Sequence, residues 1–167
     1  MLFKKPLFIL IIILTLFAFT GCKKNNDMSG VKNLIRQGVF EQKEEKYYIF
    51  CYRDGCDGCE QTKPYIMAYL KALKDPKYKD CRKLYGLNLS DEKNYTMYVS
   101  NKKEGGQGTD GRFWVDGVTN WEDLMIGSTP SLITIYVKDG VKTAQYAAQG
   151  KEKICNVLNE QLLTHKK

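Results

Sequence analysis

The sequence predicts an α/β fold in which a strand, a helix and a second strand are followed by a β-hairpin and a closing helix. Three observations predict it: an almost wholly apolar run at 46–53, apolar residues at helical spacing up to Pro76, and two β-rich runs separated by Asp139-Gly140. The chain has 167 residues. The part that follows its apolar N-terminus is long enough for one domain with a substantial core.

The first half of the chain carries the strand–helix–strand pattern. The run KYYIFCYR at 46–53 has no polar alternation, as expected of a strand that is covered on both faces. A second strand is predicted for KLYGLNL at 83–89. Between the two strands, apolar residues recur at helical intervals until Pro76 ends the helix: Ile66, Met67, Leu70 and Leu73.

The second half is predicted to form the hairpin and the last helix. LITIYV at 132–137 and VKTAQY at 141–146 flank Asp139-Gly140, a pair that supplies the positive φ angles of a tight turn. Elsewhere the pattern predicts a helix within 31–40 and an exposed Gly-rich loop at 101–112. An apolar stripe marks the closing helix: Ile154, Val157, Leu158 and Leu162.

The N-terminus has the pattern of a secretory signal, with two lysines, an apolar run of about 13 residues, and Gly21 directly before Cys22. The run is shorter than the roughly 20 residues that a transmembrane helix needs. FTGC at 19–22 resembles a bacterial lipobox, which implies cleavage before Cys22 and a lipid on its thiol. An uncleaved signal anchor is the alternative. The predicted units are a lipoprotein signal peptide, a lipidated tether and a folded domain: 1–21, 22–35 and 36–167.

Charge and ligand content disfavour two classes of function. The net charge of +7 is spread along the chain without a basic cluster among aromatic residues, so no nucleic-acid partner is expected. No metal site is expected either, because His165 is the sole histidine and zinc needs about four ligands. Cys51 and Cys155 are predicted to be core residues. No bond is expected between Cys81 and Cys155.

The main candidate for chemistry is the pair Cys56 and Cys59, in RDGCDGCE at 53–60. Two thiols at this spacing can hold a metal, close a structural loop or exchange electrons. A structural disulfide across two residues removes little chain entropy. A cysteine at a helix N-terminus, in contrast, meets unpaired N–H groups and the positive end of the helix dipole, which favour thiolate. Redox chemistry is therefore favoured, with Cys56 ionising more readily than Cys59.

Three separate features make the chain resemble the thioredoxin superfamily. They are CDGC after a buried strand, Pro64 five residues beyond Cys59, and STPSLITIYVKDGV at 128–141. The resemblance implies a thioredoxin fold: a central mixed sheet flanked by helices, with an extended segment before the cis-proline loop. It also implies four roles in the domain at 36–167. These are Cys56 as the nucleophile, Cys59 as the resolving thiol, Pro130 as the cis-proline, and Thr129 as a backbone contact for substrate.

The sequence departs from the family pattern in three places. Phe50 stands where thioredoxins carry a buried aspartate that assists proton transfer, and Glu60 is expected to be too exposed to replace it. The dipeptide Asp57-Gly58 is neither the Gly-Pro of thioredoxin nor the Pro-His of strong oxidases. Residues 91–128 are longer than the minimal fold needs.

These inferences predict an extracytoplasmic thiol–disulfide oxidoreductase, lipid-anchored to a bacterial membrane. The resemblance implies that electrons pass between protein thiols and disulfides without a cofactor. The partners would be substrate proteins and an electron donor in the membrane. Asp57 beside the nucleophile favours a protein-disulfide reductant. Two alternatives are a disulfide-forming helper, similar to accessory thioredoxins of bacteriocin export, and a non-catalytic binding lipoprotein of the same fold.

The lipid anchor gives the first testable prediction. Metabolic labelling with a fatty acid should mark the wild-type chain and leave Cys22→Ala unlabelled, because the thiol is the predicted acceptor. Equal labelling of both chains would show that the lipid, if present, is attached elsewhere.

Overall fold

The computed structural model of the chain describes residues 28–99 and 114–165. The predicted signal peptide, Cys22 and the predicted loop at 101–112 lie outside the described residues. Within the described part of the chain, no helix is both long and apolar enough to cross a membrane.

Four strands form one sheet in the order β2-β1-β3-β4. Strand β1 pairs in parallel with β2 and antiparallel with β3, and β3 pairs antiparallel with β4. The sheet is therefore mixed. The helices and strands, in chain order, are β1 (Lys46–Tyr52), α1 (Asp57–Ala72), β2 (Lys83–Asn88), β3 (Ser131–Lys138), β4 (Val141–Gln149) and α2 (Lys151–Thr164).

The two faces of the sheet are covered by different kinds of structure. Helices α1 and α2 pack on one face, where their buried side chains Ile66 and Ile154 belong to the same apolar cluster as Phe50 of β1. The other face is covered by two short 3-10 helices, Arg36–Phe40 and Tyr95–Met97, and by apolar side chains from residues 115–126. A mixed sheet flanked by helices confirms the predicted thioredoxin-like fold.

The hairpin turn confirms the reasoning from its sequence. Asp139 and Gly140 have φ angles of 52° and 81°. Both values lie in the left-handed region, which a two-residue turn of this twist requires. Helix α1 begins at Asp57, and Cys56 caps it.

The helix predicted within 31–40 is replaced by an extended edge segment and a 3-10 helix. Asn33 forms an isolated parallel bridge with Gly86 of β2. Leu34 N–H donates to Gly86 O at 2.8 Å, and Gly86 N–H donates to Lys32 O at 3.0 Å. These backbone groups are satisfied by the edge of β2 instead of by a helix. The end of the predicted tether thus contacts the domain, with Met28, Val31 and Leu34 buried.

Gly86 is the point of closest approach between β2 and this segment. A Cβ at Gly86 would meet the Asn33 side chain and would lie 2.9 Å from Val31 Cγ1. Gly86→Ala should therefore lower the free energy of unfolding by about 1–3 kcal/mol, the usual cost of overpacking. Urea denaturation measures this.

Gly38→Ala is the matched control for this substitution. A Cβ at Gly38 would lie 3.7 Å from the flexible Gln42 side chain, which is ordinary contact. Equal urea midpoints for the two variants would contradict the close approach at Gly86.

Candidate active site

Cys56 and Cys59 form a disulfide at the N-terminus of α1, with their Cα atoms 5.1 Å apart. Cys56 is the N-cap residue, and its sulfur accepts a hydrogen bond from Cys59 N–H at 3.2 Å. Cys56 is half-buried, whereas Cys59 is fully buried, with 0 % of its surface exposed. Cys56 is therefore the sulfur of the pair that a substrate can approach.

The loop before β3 lies against this pair. The Thr129–Pro130 peptide bond is cis, as predicted. Thr129 Oγ1 lies 3.6 Å from Cys56 Sγ, with its hydroxyl as the donor. A Cβ at Gly58 would lie 3.0 Å from Pro130 Cδ. The glycine thus allows the close approach of the helix start and the proline ring.

The register of the sheet explains why these residues meet. Cys51, next to the last residue of β1, pairs with Ser131, the first residue of β3. Because the strands are antiparallel, the chain that leaves β1 and the chain that enters β3 lie at one edge of the sheet. The structure therefore brings together all four of the predicted site residues in the described chain: Cys56, Cys59, Thr129 and Pro130. Their predicted roles stay predictions.

Arg53 is a further residue of the site, which the sequence pattern did not predict. Its Nε donates to Thr129 Oγ1 at 3.2 Å. Its guanidinium carbon lies 4.2 Å from the centre of the Tyr98 ring, a cation–π contact. In the sequence, only the position of Arg53 three residues before Cys56 suggested that it could lie near the pair. Nothing in the sequence linked Tyr98 to Arg53.

The surroundings of Cys59 are apolar on the core side. Phe50, at the position of the family's buried aspartate, is fully buried in the same cluster as Cys59. Glu60, which was expected to be too exposed to replace that aspartate, forms an ion pair with Lys63, whose Nζ lies 2.7 Å from Glu60 Oε1. Lys63 is itself 6 % exposed, and its Nζ lies 5.6 Å from the centre of the Tyr52 ring. The Glu60 carboxylate is thus compensated by a neighbouring cation.

The remaining described cysteines are free and buried: Cys51, Cys81 and Cys155. This confirms the prediction of core positions for Cys51 and Cys155. Burial raises the pKa of all three thiols. Cys81 donates through its thiol to Gln161 O at 3.5 Å. In the described ranges, no group of three or more His, Cys, Asp or Glu residues could hold a metal ion.

Two solved structures are similar to this chain. The J-Trx1 fragment of ERdj5 is 14 % identical with a TM-score of 0.44, over 84 % of this chain and 54 % of that one. Thioredoxin f2 of Chlamydomonas reinhardtii is 13 % identical with a TM-score of 0.42, over 78 % of this chain and 94 % of that one. This chain thus spans about half the length of the ERdj5 fragment. Neither a protein-family model nor a curated protein sequence matches the chain.

Burial predicts a different reactivity for Cys51 and the active pair. Because Cys51 is 0 % exposed and burial raises its pKa, its thiolate should be absent at pH 8. The Cys51 thiolate should stay scarce at about pH 9 as well, because burial raises the pKa of this thiol above its ordinary value. After reduction, iodoacetamide should modify Cys56 and leave Cys51 intact, as measured by peptide mass spectrometry.

Unfolding in guanidinium provides the control for accessibility. All thiols should then react, because the burial that protects Cys51 is lost. Modification of Cys51 in the folded protein at the rate of Cys56 would contradict its placement in the core.

Proposed function

We propose that the protein is a thiol–disulfide oxidoreductase. The observation that carries the proposal is the placement of Cys56, half-buried at the N-terminus of α1, bonded to Cys59 and 3.6 Å from the hydroxyl of the cis-proline loop. An accessible sulfur at a helix N-terminus, with a second thiol in reach, has what disulfide exchange requires. A purely structural disulfide has no need of an exposed sulfur or of a facing loop.

The reaction begins from the dithiol. The Cys56 thiolate attacks one sulfur of a substrate disulfide, which forms a mixed disulfide and releases the other substrate sulfur as a thiolate that takes up a proton. The Cys59 thiol loses its proton, and its thiolate attacks Cys56 Sγ. This step reforms the Cys56–Cys59 disulfide and releases the second substrate thiol. Two electrons pass to the substrate, and no cofactor is involved.

We assign the direction of this exchange as reduction of protein disulfides. Asp57 places a carboxylate beside Cys56, and like charges disfavour the thiolate. A strongly oxidising pair needs a reduced form that is stabilised by a highly favoured thiolate. The cycle then requires a second dithiol, the membrane electron donor, to return the pair to its reduced state.

A disulfide-forming role is the second candidate, and Arg53 favours it. Its guanidinium is held beside the Thr129 hydroxyl that faces Cys56. A cation at this place stabilises thiolate and makes the pair more oxidising. A binding lipoprotein with an inert disulfide is the non-catalytic alternative.

The proposed location is the outer face of a bacterial membrane, with a lipid on Cys22. The sequence GC at 21–22 supports this, as does the short distance to the domain. From Cys22 to Met28 the chain can span at most about 20 Å. Lys23 and Lys24 next to the lipid would favour anionic headgroups. The domain would then be held close to the membrane, on the side where an embedded electron donor could be met.

Substitution of each active cysteine tests the activity. Cys56→Ser should lower insulin reduction, with dithiothreitol as the electron source, to the uncatalysed rate, because the attacking sulfur is lost. Cys59→Ser should accumulate mixed disulfides that a reducing agent dissolves, because the second step is lost. Turbidity and non-reducing gels measure the two outcomes.

Cys155→Ser is the matched control, since this thiol is buried and is bonded to neither cysteine of the pair. It should keep insulin reduction. Full activity of Cys56→Ser would refute the proposal, and an inactive wild type would support the binding lipoprotein.

Two further measurements show whether the protein reduces or forms disulfides. A glutathione titration gives the reduction potential, and an alkylating mass tag traps the state of the pair in cells. A potential above about −180 mV together with a mostly oxidised pair would select the disulfide-forming role.

A further inference from the structure

We propose that Arg53 is a positioning residue of the active site: stacked on Tyr98, it holds the Thr129 hydroxyl on the Cys56 sulfur and brings its own cation near that sulfur. Both effects favour the Cys56 thiolate in the reduced protein. The inference rests on the proposed function, which it deepens by adding a residue that controls how readily the nucleophile ionises.

The hydrogen bonds define the direction of the contact. Arg53 has no acceptor atoms, so its Nε–H donates to Thr129 Oγ1 at 3.2 Å. This bond occupies a lone pair of the oxygen and leaves the hydroxyl hydrogen for Cys56 Sγ, 3.6 Å away. Because both contacts share one oxygen, Arg53 Nε lies no more than about 7 Å from the sulfur. When the pair is reduced and Cys56 ionises, the negative charge on its sulfur faces the Thr129 hydroxyl, which Arg53 in turn holds.

Tyr98 lies against the Arg53 guanidinium. The Arg53 guanidinium carbon lies 4.2 Å from the Tyr98 ring centre, which suits a flat cation stacked on an aromatic face. Tyr98 is itself paired with Ile126 in an isolated parallel bridge. The neighbouring bonds, Val99 N–H to Ile126 O at 3.1 Å and Ile126 N–H to Met97 O at 2.7 Å, hold the two segments together. The chain continues from Ile126 directly to Thr129.

This arrangement gives the described parts of the segment before the cis-proline loop, 91–99 and 114–128, a part in the chemistry. One end of the segment supplies Tyr98 as a platform for Arg53, and the other end leads into the loop that carries Thr129. The bridge between Tyr98 and Ile126 ties the two ends to each other. The position of the hydroxyl at Cys56 thus depends on a segment that the minimal fold does not need.

In the described chain, Lys63 pairs with Glu60, whereas Arg53 forms no ion pair with a carboxylate. Asp54 accepts from Asn88 Nδ2 at 3.3 Å, and Asp57 is exposed. The cis-proline loop, residues 127–130, brings no titratable side chain, and the segment 88–98 brings Asp91, Glu92, Lys93 and two tyrosines, of which Tyr98 contacts Arg53. Next to the pair in the chain, residues 53–63 carry four charged side chains besides Arg53: Asp54, Asp57, Glu60 and Lys63.

The test measures the pH dependence of Cys56 alkylation in the reduced full-length chain, purified in detergent. Arg53→Gln should raise the pH of half-maximal rate by about half to one unit, because the cation and the hold on Thr129 are both lost. Thr129→Val should raise it as well, and Thr129→Ser, which keeps a hydroxyl, should raise it less. Arg53→Lys should raise the pH of half-maximal rate by less than Arg53→Gln, since lysine keeps the charge and lacks the planar guanidinium.

Lys74→Gln is the matched charge control, because Lys74 is exposed beyond the far end of α1. It removes one positive charge without touching the site. Thermal melts of every variant report whether the fold is kept. Tyr98→Leu removes the aromatic ring under Arg53 and keeps all charges, and it should also raise the pH of half-maximal rate. Because Thr129 is the shared contact, the double variant Arg53→Gln/Thr129→Val should shift the half-point by less than the two single shifts together.

The inference is overturned if Arg53→Gln keeps the wild-type half-point, or if Lys74→Gln moves it equally. These outcomes are independent of the proposed function. A wild-type chain that reduces no insulin would refute the function whatever the alkylation profile. An active wild type with an unmoved Arg53→Gln profile would refute only the role of Arg53.

Discussion

The antiparallel pairing of β1 with β3 is the constraint on which the rest of the structure depends. It sets Cys51 opposite Ser131, so that the chain leaving β1 and the chain entering β3 meet at one edge. Both faces of β1 are apolar, and an exchange of faces would therefore cost little in hydrophobic burial alone. The tyrosines supply the missing specificity: Tyr47 OH donates to Val39 O at 2.8 Å, and Tyr48 OH donates to Gln161 Oε1 at 3.2 Å on the opposite face. A one-residue slip would exchange the faces and leave both hydroxyls buried without these partners.

The two faces of the sheet are covered by different elements, and both sets of elements also contribute residues to the active site. Two α-helices bury one face, and the start of α1 places the cysteine pair. On the other face, the segment that precedes the cis-proline loop contributes Met97, Leu124 and Ile126 to the core and Tyr98 to Arg53. Residues that bury the sheet therefore also fix the side chains beside Cys56. Changes in that part of the core are expected to be felt at the sulfur, because packed interiors transmit small displacements.

Opposing electrostatic effects act on Cys56. The helix N-terminus, the Cys59 N–H, the Thr129 hydroxyl and the Arg53 cation all favour a thiolate, and the Asp57 carboxylate opposes it. Asp57 is exposed, and an exposed charge acts through water, where two charges about 4 Å apart interact by only about 1 kcal/mol. Hydrogen bonds donated to the sulfur act at contact and are less screened. The local donors are thus the stronger group, and the Asp57 carboxylate offsets part of their effect on the thiolate.

The sequence by itself determined the strands, the two α-helices, the hairpin and the cysteine pair, and the resemblance to the thioredoxin superfamily implied that Thr129 and Pro130 join that pair. These features depend on local properties: the apolar run at 46–53, the turn formed by Asp139-Gly140, and the Cys-x-x-Cys spacing at a helix start. The edge segment near Asn33 was misread as a helix because apolar spacing does not show whether backbone groups will find partners on a neighbouring strand. The contact of Arg53 with Tyr98 and Thr129 was decided by tertiary structure alone. These residues are far apart in the chain, and only the register of β1 with β3 and the bridge from Tyr98 to Ile126 bring their side chains within hydrogen-bonding and stacking distance.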